Sequence, residues 1–262
     1  MTYETIRFSV EDGVAQIVLA RPKQANTVTI AFSEEFNDAV EKCKSDANVR
    51  AVLLSSEGPI FSAGGDLAGF AAYGEELPKK MQEMLASFHA SLKTLSEMDA
   101  PLIVAVSGVA AGAGFSMVLS ASMVLASAKA RFTVAYTGAG LTPDGSSTFF
   151  LPKIVGLRRA EELMLTNRQL SAEEALDWGI VNQLTDETEL LEKALKTAKR
   201  IAKGPTKAFG NVRRLLVSGF NAELAVQLDR EGESIVDMTQ TDDGKEGIAA
   251  FLEKRQPVFK GQ

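Results

Sequence analysis

Short apolar strands alternate with amphipathic helical segments along the first half of this chain. Alternating apolar residues occupy 6–19 on both sides of an Asp12-Gly13 pair, which is typical of a β-hairpin. Helical spacing over 30–43 is followed by a buried-strand pattern at 50–55. Further helical or strand segments are predicted at 78–98, 102–106, 123–127 and 132–135. Strands that alternate with helices predict the α/β fold class.

Helical patterns dominate the chain beyond Asp144. Helices are predicted at 158–166, 172–178, 187–203, 205–218, 222–238 and 243–255. We therefore divide the chain into a core at 1–203, which carries the site, and a helical region at 204–262. A helical tail with little sheet to cover must bury its apolar stripes elsewhere, so we expect a homo-oligomer.

Composition argues against several functions. The 262 residues include one His and one Cys, too few for a zinc cluster, and the net charge of −6 provides no basic field for nucleic acid. Residues 1–10 lack the apolar core of a signal peptide, and the single Cys43 allows no internal disulfide. We therefore expect a reducing cytoplasm. The apolar stretches fall short of the roughly 20 residues that cross a bilayer, so we expect no membrane span.

Two glycine-rich segments each follow an apolar strand. They are FSAGGDL at 61–67 and SGVAAGAGFS at 107–116, where small residues leave backbone N–H groups open to a ligand oxygen. The first is also compatible with an ordinary turn in which Asp66 caps a helix. In the second, Met117 occupies the place of the third glycine or alanine of a dinucleotide-binding motif, which argues against such a site. Together the segments could form a backbone oxyanion hole.

These two segments, followed by GLTPDGSSTFFLPKIVG, LTNRQLSAEEALDWGIV and the tail EGIAAFLEKRQPVFKGQ, resemble the crotonase (enoyl-CoA hydratase/isomerase) family. The resemblance implies a spiral of strand–strand–helix repeats, a helical C-terminal region that builds trimers or hexamers, and an acyl-CoA thioester substrate without a further cofactor. It implies that the N–H groups of Gly65 and Ala113 form the oxyanion hole. The implied substrate-binding residues are Ala63, Asp66, Leu67, Phe251 and Lys254. Arg21 and Lys23 are further candidates, for the phosphates of coenzyme A, and solvated loop charges are the other interpretation of this pair.

The acid/base residues decide which reaction such a hole serves. Ser116 and Tyr136 stand where hydratases of the family carry two glutamates, so hydration by the two-glutamate route is disfavoured. Asp144, in a Thr-Pro-Asp-Gly run, is the remaining carboxylate, and the chain resembles the ring-opening epoxyphenylacetyl-CoA isomerases there. One carboxylate suffices to move a proton along an acyl chain. Helix capping is the other interpretation of Asp144.

His89 opens an alternative. It borders the buried stripe of the helix at 78–98, where a histidine is commonly a core residue. The chain also resembles the chlorobenzoyl-CoA dehalogenases, which have a histidine at this position and a nucleophilic aspartate matching Asp144. Ser116 with His89 and an aspartate could formally make a hydrolytic triad. Tyr136 is interpreted as a core aromatic or a hydrogen-bond donor, and a non-catalytic acyl-CoA-binding protein is the third possibility.

Overall fold

Two sheets and eleven α-helices make up the computed structural model, which describes residues 2–262. The strands are β1 (Ile6–Glu11), β2 (Val14–Leu19), β3 (Ala51–Ser56), β4 (Ile60–Ser62), β5 (Leu102–Val106), β6 (Val109–Ala111), β7 (Met123–Ser127), β8 (Arg131–Thr133), β9 (Leu170–Ser171) and β10 (Gln183–Thr185). The helices are α1 (Ile30–Ser45), α2 (Leu67–Ala72), α3 (Leu77–Glu97), α4 (Ala113–Leu119), α5 (Ser147–Val155), α6 (Leu157–Thr166), α7 (Ala172–Asp177), α8 (Leu190–Ala202), α9 (Thr206–Gly219), α10 (Leu224–Gln240) and α11 (Asp242–Glu253).

The strands form a spiral. The larger sheet has the order β1-β2-β3-β5-β7-β10, and the smaller one has the order β4-β6-β8-β9. The larger-sheet strands β3, β5 and β7 are each followed by a smaller-sheet strand, β4, β6 and β8 respectively. Apart from the antiparallel pairs β1–β2 and β8–β9, neighbouring strands are parallel. This arrangement confirms the predicted α/β class and its strand–strand–helix repeat.

The core lies where the helices cover the sheets. All five residues of β5 are buried, which explains why this segment reads as a continuous apolar run. On α3, Phe88, Leu92 and Leu95 are buried, and this helix packs along α1. The apolar stripe predicted for the 78–98 segment is therefore the face that α3 turns toward the interior.

Some short elements were not predicted. Strands β4 and β6 contain three residues each and β9 contains two, too few for a two-residue period to stand out. Beyond Asp144, where helical patterns dominate the sequence, the chain adds β9 and β10 to the edges of the two sheets. Each edge strand follows from pairing with a distant strand, β8 or β7, which local sequence does not encode.

The C-terminal helices leave apolar side chains exposed. Helix α10 has no buried residue along its 17 residues. Exposed apolar residues on α9, α10 and α11 include Val212, Leu216, Leu224, Leu228, Ile235, Val236, Ile248, Phe251 and Leu252. The boundary at residue 203 stays a prediction. Among residues 2–262, no helix is both long and apolar enough to cross a membrane.

Candidate active site

The two glycine-rich loops touch each other through their backbones. A Cβ atom placed on Gly64 would lie 2.9 Å from the carbonyl oxygen of Ala111, and one on Gly114 would lie 2.6 Å from Cβ of Ser62. Both distances are shorter than real Cβ contacts allow, so glycine is needed at 64 and 114 for the loops to approach. The predicted convergence of these two segments is therefore found in the structure.

The approach leaves two backbone N–H groups free. Val28 pairs with the first loop: its N–H donates to Gly64 and its carbonyl accepts from Asp66, which turns the intervening N–H of Gly65 away from this pairing. Ala113 is the first residue of α4, a position without an intrahelical acceptor for its N–H. Within residues 2–262, neither of these two N–H groups has a hydrogen-bond acceptor.

Gly65 and Ala113 line the same cavity of about 240 Å³. Its wall is mostly apolar, and Asp144 is the one acidic side chain among the described residues that line it. The other lining residues are Val28, Ala63, Leu67, Phe70, Met81, Met84, Leu85, Phe88, Gly112, Ala135, Tyr136, Ala139, Leu141 and Thr142. We call this space the acyl cavity. A carboxylate and two unpaired amides thus share one largely apolar space.

The carboxylate of Asp144 has a partner on each oxygen. The Tyr136 hydroxyl donates to Oδ1 at 2.5 Å, and His89 Nε2 lies 2.9 Å from Oδ2. The capping interpretation of Asp144 is wrong, because Ser146 is the N-cap residue of α5 and the Asp144 side chain accepts from no amide of that helix. Only the main-chain oxygen of Asp144 contacts α5, accepting from Ser147. The side chain is left available for chemistry.

Tyr136 is a hydrogen-bond donor that remains protonated. Burial raises the pKa of its phenol, and the negative charge of Asp144 raises this pKa further. The backbone explains how the tyrosine reaches the site: Ala135 adopts a positive φ of 61°, which turns the chain sharply after β8. Because Ala135 is neither glycine nor asparagine, the sequence offered no signal for this turn.

Ser116 is fully buried beside Tyr136. Its Oγ lies 3.0 Å from the main-chain oxygen of Asp144 and 3.2 Å from the Tyr136 hydroxyl oxygen. It makes no hydrogen bond with His89, so the formal Ser–His–Asp triad is wrong: the histidine bonds the aspartate carboxylate, whereas the serine bonds its main chain.

His89 borders a second cavity rather than the acyl cavity. Its side chain is 48% exposed, and it is not a core residue as its place beside the buried stripe suggested. It borders a second cavity of about 270 Å³ and is absent from the lining of the acyl cavity. The other residues lining this second cavity are Leu92, Lys93, Ser96, Gly145, Ser146, Phe149, Phe150 and Val217. His89 therefore reaches the acyl cavity only through Asp144.

Two of the remaining predicted binding residues line the acyl cavity and the others do not. Ala63 and Leu67 line the acyl cavity, whereas Asp66 caps α2 by accepting from the N–H of Gly69. The four positively charged or aromatic residues named for coenzyme A lie outside this cavity. Arg21 and Lys23 lie at a turn whose Ala25 carbonyl accepts a hydrogen bond from the Ala63 N–H. Phe251 lies on α11 and Lys254 just after it.

Sequence reasoning missed most of the cavity wall. The buried Phe70 of α2 lines the cavity, and α3 contributes the buried Met84 together with Met81 and Leu85. The apolar stripe of α3 could be recognised from the sequence. Its spacing does not indicate whether these side chains pack against other side chains or line a cavity. Among residues 2–262, no group of three or more His, Cys, Asp or Glu side chains is arranged to hold a metal ion.

Comparison with known proteins adds the family. The enoyl-CoA hydratase/isomerase family model matches residues 9–262. The chain belongs to this family. It is 34% identical to the "Probable enoyl-CoA hydratase" of Rhodobacter capsulatus, with all of both chains covered, and 33% identical to the 1,2-epoxyphenylacetyl-CoA isomerase of Escherichia coli, with 99% of both covered.

Two further relatives of this family member extend the comparison. It is 32% identical to a 4-chlorobenzoyl coenzyme A dehalogenase of Arthrobacter sp, over 93% of this chain and 88% of the relative. The crystal structure of an enoyl-CoA hydratase from Polaromonas sp. JS666 superposes with a TM-score of 0.92 at 29% identity, covering 97% and 99% of the two chains. Hydratase, isomerase and dehalogenase names therefore all occur among proteins of comparable similarity, and the side chains at the site must distinguish them.

Proposed function

We propose that this family member is an acyl-CoA isomerase that moves a carbon–carbon double bond along an acyl thioester with a single carboxylate. One observation carries the proposal: Asp144 shares the acyl cavity with the two unpaired N–H groups of Gly65 and Ala113. The thioester carbonyl oxygen accepts from both N–H groups, and each contributes about 3 kcal/mol to stabilising the enolate oxyanion.

The reaction then needs one base. Asp144 removes a proton from the α-carbon of a 3-enoyl thioester, the electron pair of that C–H bond moves toward the thioester, and the enolate forms. The protonated carboxyl returns the proton at the γ-carbon, and a 2-enoyl thioester results. A side chain 24% exposed beside an apolar wall can hold a proton for this interval with limited access to water.

Hydration fits the site less well. The two-glutamate route uses one carboxylate to activate water and another to deliver a proton. Here Ser116 and Tyr136 occupy the positions expected for these glutamates, and the tyrosine's raised pKa keeps it protonated rather than basic. The proposal is therefore a double-bond shift, which conserves mass and uses no water.

The test is an assay with 3-enoyl-CoA thioesters, together with epoxide and oxepin aryl-CoA compounds, followed by the absorbance of the conjugated product. We expect turnover, and a loss of about 10³-fold in kcat for Asp144→Asn with little change in substrate binding. The matched control is Asp177→Asn, the same change at an exposed carboxylate at the end of α7. Full turnover by Asp144→Asn contradicts the proposal.

A second function is favoured by the contact between His89 Nε2 and Asp144 Oδ2. In an aryl-CoA dehalogenase, Asp144 attacks the aromatic carbon that bears the halogen, halide leaves, and water activated by His89 hydrolyses the aryl ester. This reaction predicts halide release from a 4-haloaryl-CoA and a covalent adduct on Asp144 by mass spectrometry. Tight acyl-CoA binding without turnover in either assay would instead support a non-catalytic binding protein.

The proposed enzyme takes its substrate as a coenzyme A thioester and uses no separate cofactor. Arg21 and Lys23, at the turn whose Ala25 carbonyl accepts from the Ala63 N–H, are proposed to contact the phosphates of coenzyme A. Phe251, 83% exposed on α11, and the nearby Lys254 are proposed to contact coenzyme A in an assembled trimer or hexamer. The exposed apolar residues of α10 are the proposed contact surface between the copies.

A further inference from the structure

The hydroxyl protons around Asp144 define a direction of hydrogen bonding. Tyr136 has one hydroxyl proton, and the 2.5 Å contact commits it to Oδ1 of Asp144. The Ser116 hydroxyl, whose Oγ lies 3.2 Å from the Tyr136 oxygen, also has a single proton. Its shortest contact is with the main-chain oxygen of Asp144 at 3.0 Å, which can only accept, so Ser116 donates there. Asp144 is thus held at two points, its carboxylate by Tyr136 and its main-chain oxygen by Ser116.

Ser116 connects Asp144 to the oxyanion hole. It lies one turn after Ala113 on α4, the helix whose first N–H is free in the acyl cavity. Every residue of α4 is buried, so the helix has little freedom to move against its surroundings. Ser116 therefore lies at a fixed distance from the Ala113 N–H, and residues that contact Ser116 are positioned relative to that N–H.

The turn that carries Asp144 also rests on Ser116. Gly145 has a φ of 58°, and a Cβ atom built on it would lie 2.9 Å from Cβ of Ser116 and 3.1 Å from the Phe88 ring. Glycine is thus needed for this close contact. The backbone at 144–145 is therefore located by Ser116, and the carboxylate of Asp144 is located by Tyr136, which packs beside Ser116.

We propose that Ser116 and Tyr136 are positioning residues that hold the Asp144 carboxylate in register with the Ala113 N–H. This inference rests on the proposed isomerase function. The enolate oxygen is fixed by the oxyanion hole, so the α- and γ-carbons lie at set distances from it. A carboxylate that must reach both carbons has to keep its orientation throughout the step, and a misplacement of 1 Å can cost about 10²-fold in rate.

The two hydroxyl groups act as one unit in this account. Tyr136→Phe removes the donor to Oδ1, and we expect kcat to fall about 10- to 100-fold with KM changed less than about twofold, since the oxyanion hole still binds the thioester. Ser116→Ala removes the bond to the main-chain oxygen of Asp144 and is expected to lower kcat by about 3- to 10-fold. Because both bonds position one carboxylate, the double variant should lose less than the product of the two single losses.

Matched controls separate this role from general packing. Tyr73→Phe removes the hydroxyl of another partly buried tyrosine, and Ser120→Ala removes a hydroxyl that bonds only within its own helix region, to Met117. Both controls should leave kcat within about twofold of the unmodified protein. Losses that multiply in the Ser116→Ala/Tyr136→Phe variant, or effects confined to KM, overturn the proposal.

A second measurement does not depend on turnover. A short hydrogen bond from a phenol to a carboxylate shifts the hydroxyl proton downfield in the NMR spectrum. We expect such a resonance in the unmodified protein, its loss in Tyr136→Phe and an upfield shift in Ser116→Ala. If no 3-enoyl-CoA substrate turns over but the resonance behaves this way, the proposed function fails and the link between these residues stands. A resonance unchanged by Ser116→Ala overturns the link.

Discussion

The Nε2 atom of His89 lies 2.9 Å from Oδ2 of Asp144, while Tyr136 donates to the other oxygen of the same carboxylate. His89 borders the second cavity, whereas Asp144 and Tyr136 border the acyl cavity. His89 therefore acts on a bound acyl chain only through the aspartate, whereas Tyr136 faces the acyl cavity itself. This relationship makes the roles of the two neighbours separable by substitution.

His89→Gln tests which reaction the pair serves. Glutamine keeps an amide donor for Oδ2 but cannot act as a base toward water. In an isomerase that uses Asp144 as its one base, we expect kcat for 3-enoyl-CoA to stay within about tenfold of the unmodified protein. A dehalogenase would instead retain the aspartyl adduct and fail to release it. Accumulation of the adduct on Asp144 during incubation with a 4-haloaryl-CoA would favour the dehalogenase function over the isomerase function.

Ala113→Pro removes one oxyanion donor while keeping a helix. Ala113 is the first residue of α4, where proline is accommodated because its N–H is not needed by the helix. We expect kcat/KM to fall about 10²- to 10³-fold, the cost of one lost donor in such a hole. Circular dichroism and the thermal midpoint report whether the fold is kept. A folded variant with unchanged kcat/KM would show that this N–H does not bind the oxyanion.

Gly114→Ala tests the contact between the two loops. The added Cβ would meet Ser62 at 2.6 Å, so the loops must separate, and overpacking of this kind costs about 1–3 kcal/mol. We expect a turnover loss of more than about tenfold, since Gly65 and Ala113 are carried on these loops. Gly156→Ala is the control: its φ of 83° brings backbone strain, but its Cβ meets nothing within 4 Å. That variant should lose stability and keep its kcat.

Cys43 should be unreactive in the native protein. Burial raises the pKa of its thiol to about 12, and the charge of Asp46 adds to this effect. The thiolate is therefore scarce, and a thiol reagent at pH 8 should modify it only after unfolding. Because the folded pKa is above the unfolded one, this contribution to stability is complete below about pH 9 and declines as pH rises toward 12. Rapid labelling of the folded chain would contradict the burial.

The exposed face of α10 predicts an assembly of copies. Leu224 and Ile235 are 75% and 67% exposed on a helix with no buried residue. Sedimentation of the 28.0 kDa chain should give a trimer or hexamer. Leu224→Glu and Ile235→Glu should shift this population toward smaller species, and Glu233→Gln, an exposed change on the same helix, should not. A monomer at micromolar concentration would rule out this contact surface.

The two glycine-rich loops could be predicted from the sequence because each is a run of consecutive small residues. Gly65 and Ala113 belong to segments where small residues cluster after a strand, and two such segments in one chain indicate main-chain amides left open for a ligand. The long elements were equally accessible: α1 and α3 repeat their apolar residues over several turns. These patterns lie within single segments of the chain, so they can be recognised without knowing which distant residues each segment contacts.

The arrangement around Asp144 could not be obtained in this way. Tyr136, Asp144 and His89 were named individually, but their contacts join positions up to 55 residues apart. Two backbone turns bring them together, at Ala135 and at Gly145, both with positive φ. Only the glycine could have suggested its turn, and neither residue indicates which side chains then meet. The same applies to β9 and β10, whose existence depends on the strands beside them.

A crystal structure with an unreactive acyl-CoA analogue tests the central claim most directly. The account predicts the thioester oxygen about 2.7–3.1 Å from the nitrogen atoms of both Gly65 and Ala113, with the Asp144 carboxylate facing the α- and γ-carbons. A thioester oxygen bound elsewhere in the acyl cavity, or an acyl chain whose α- and γ-carbons lie out of reach of Asp144, would contradict it.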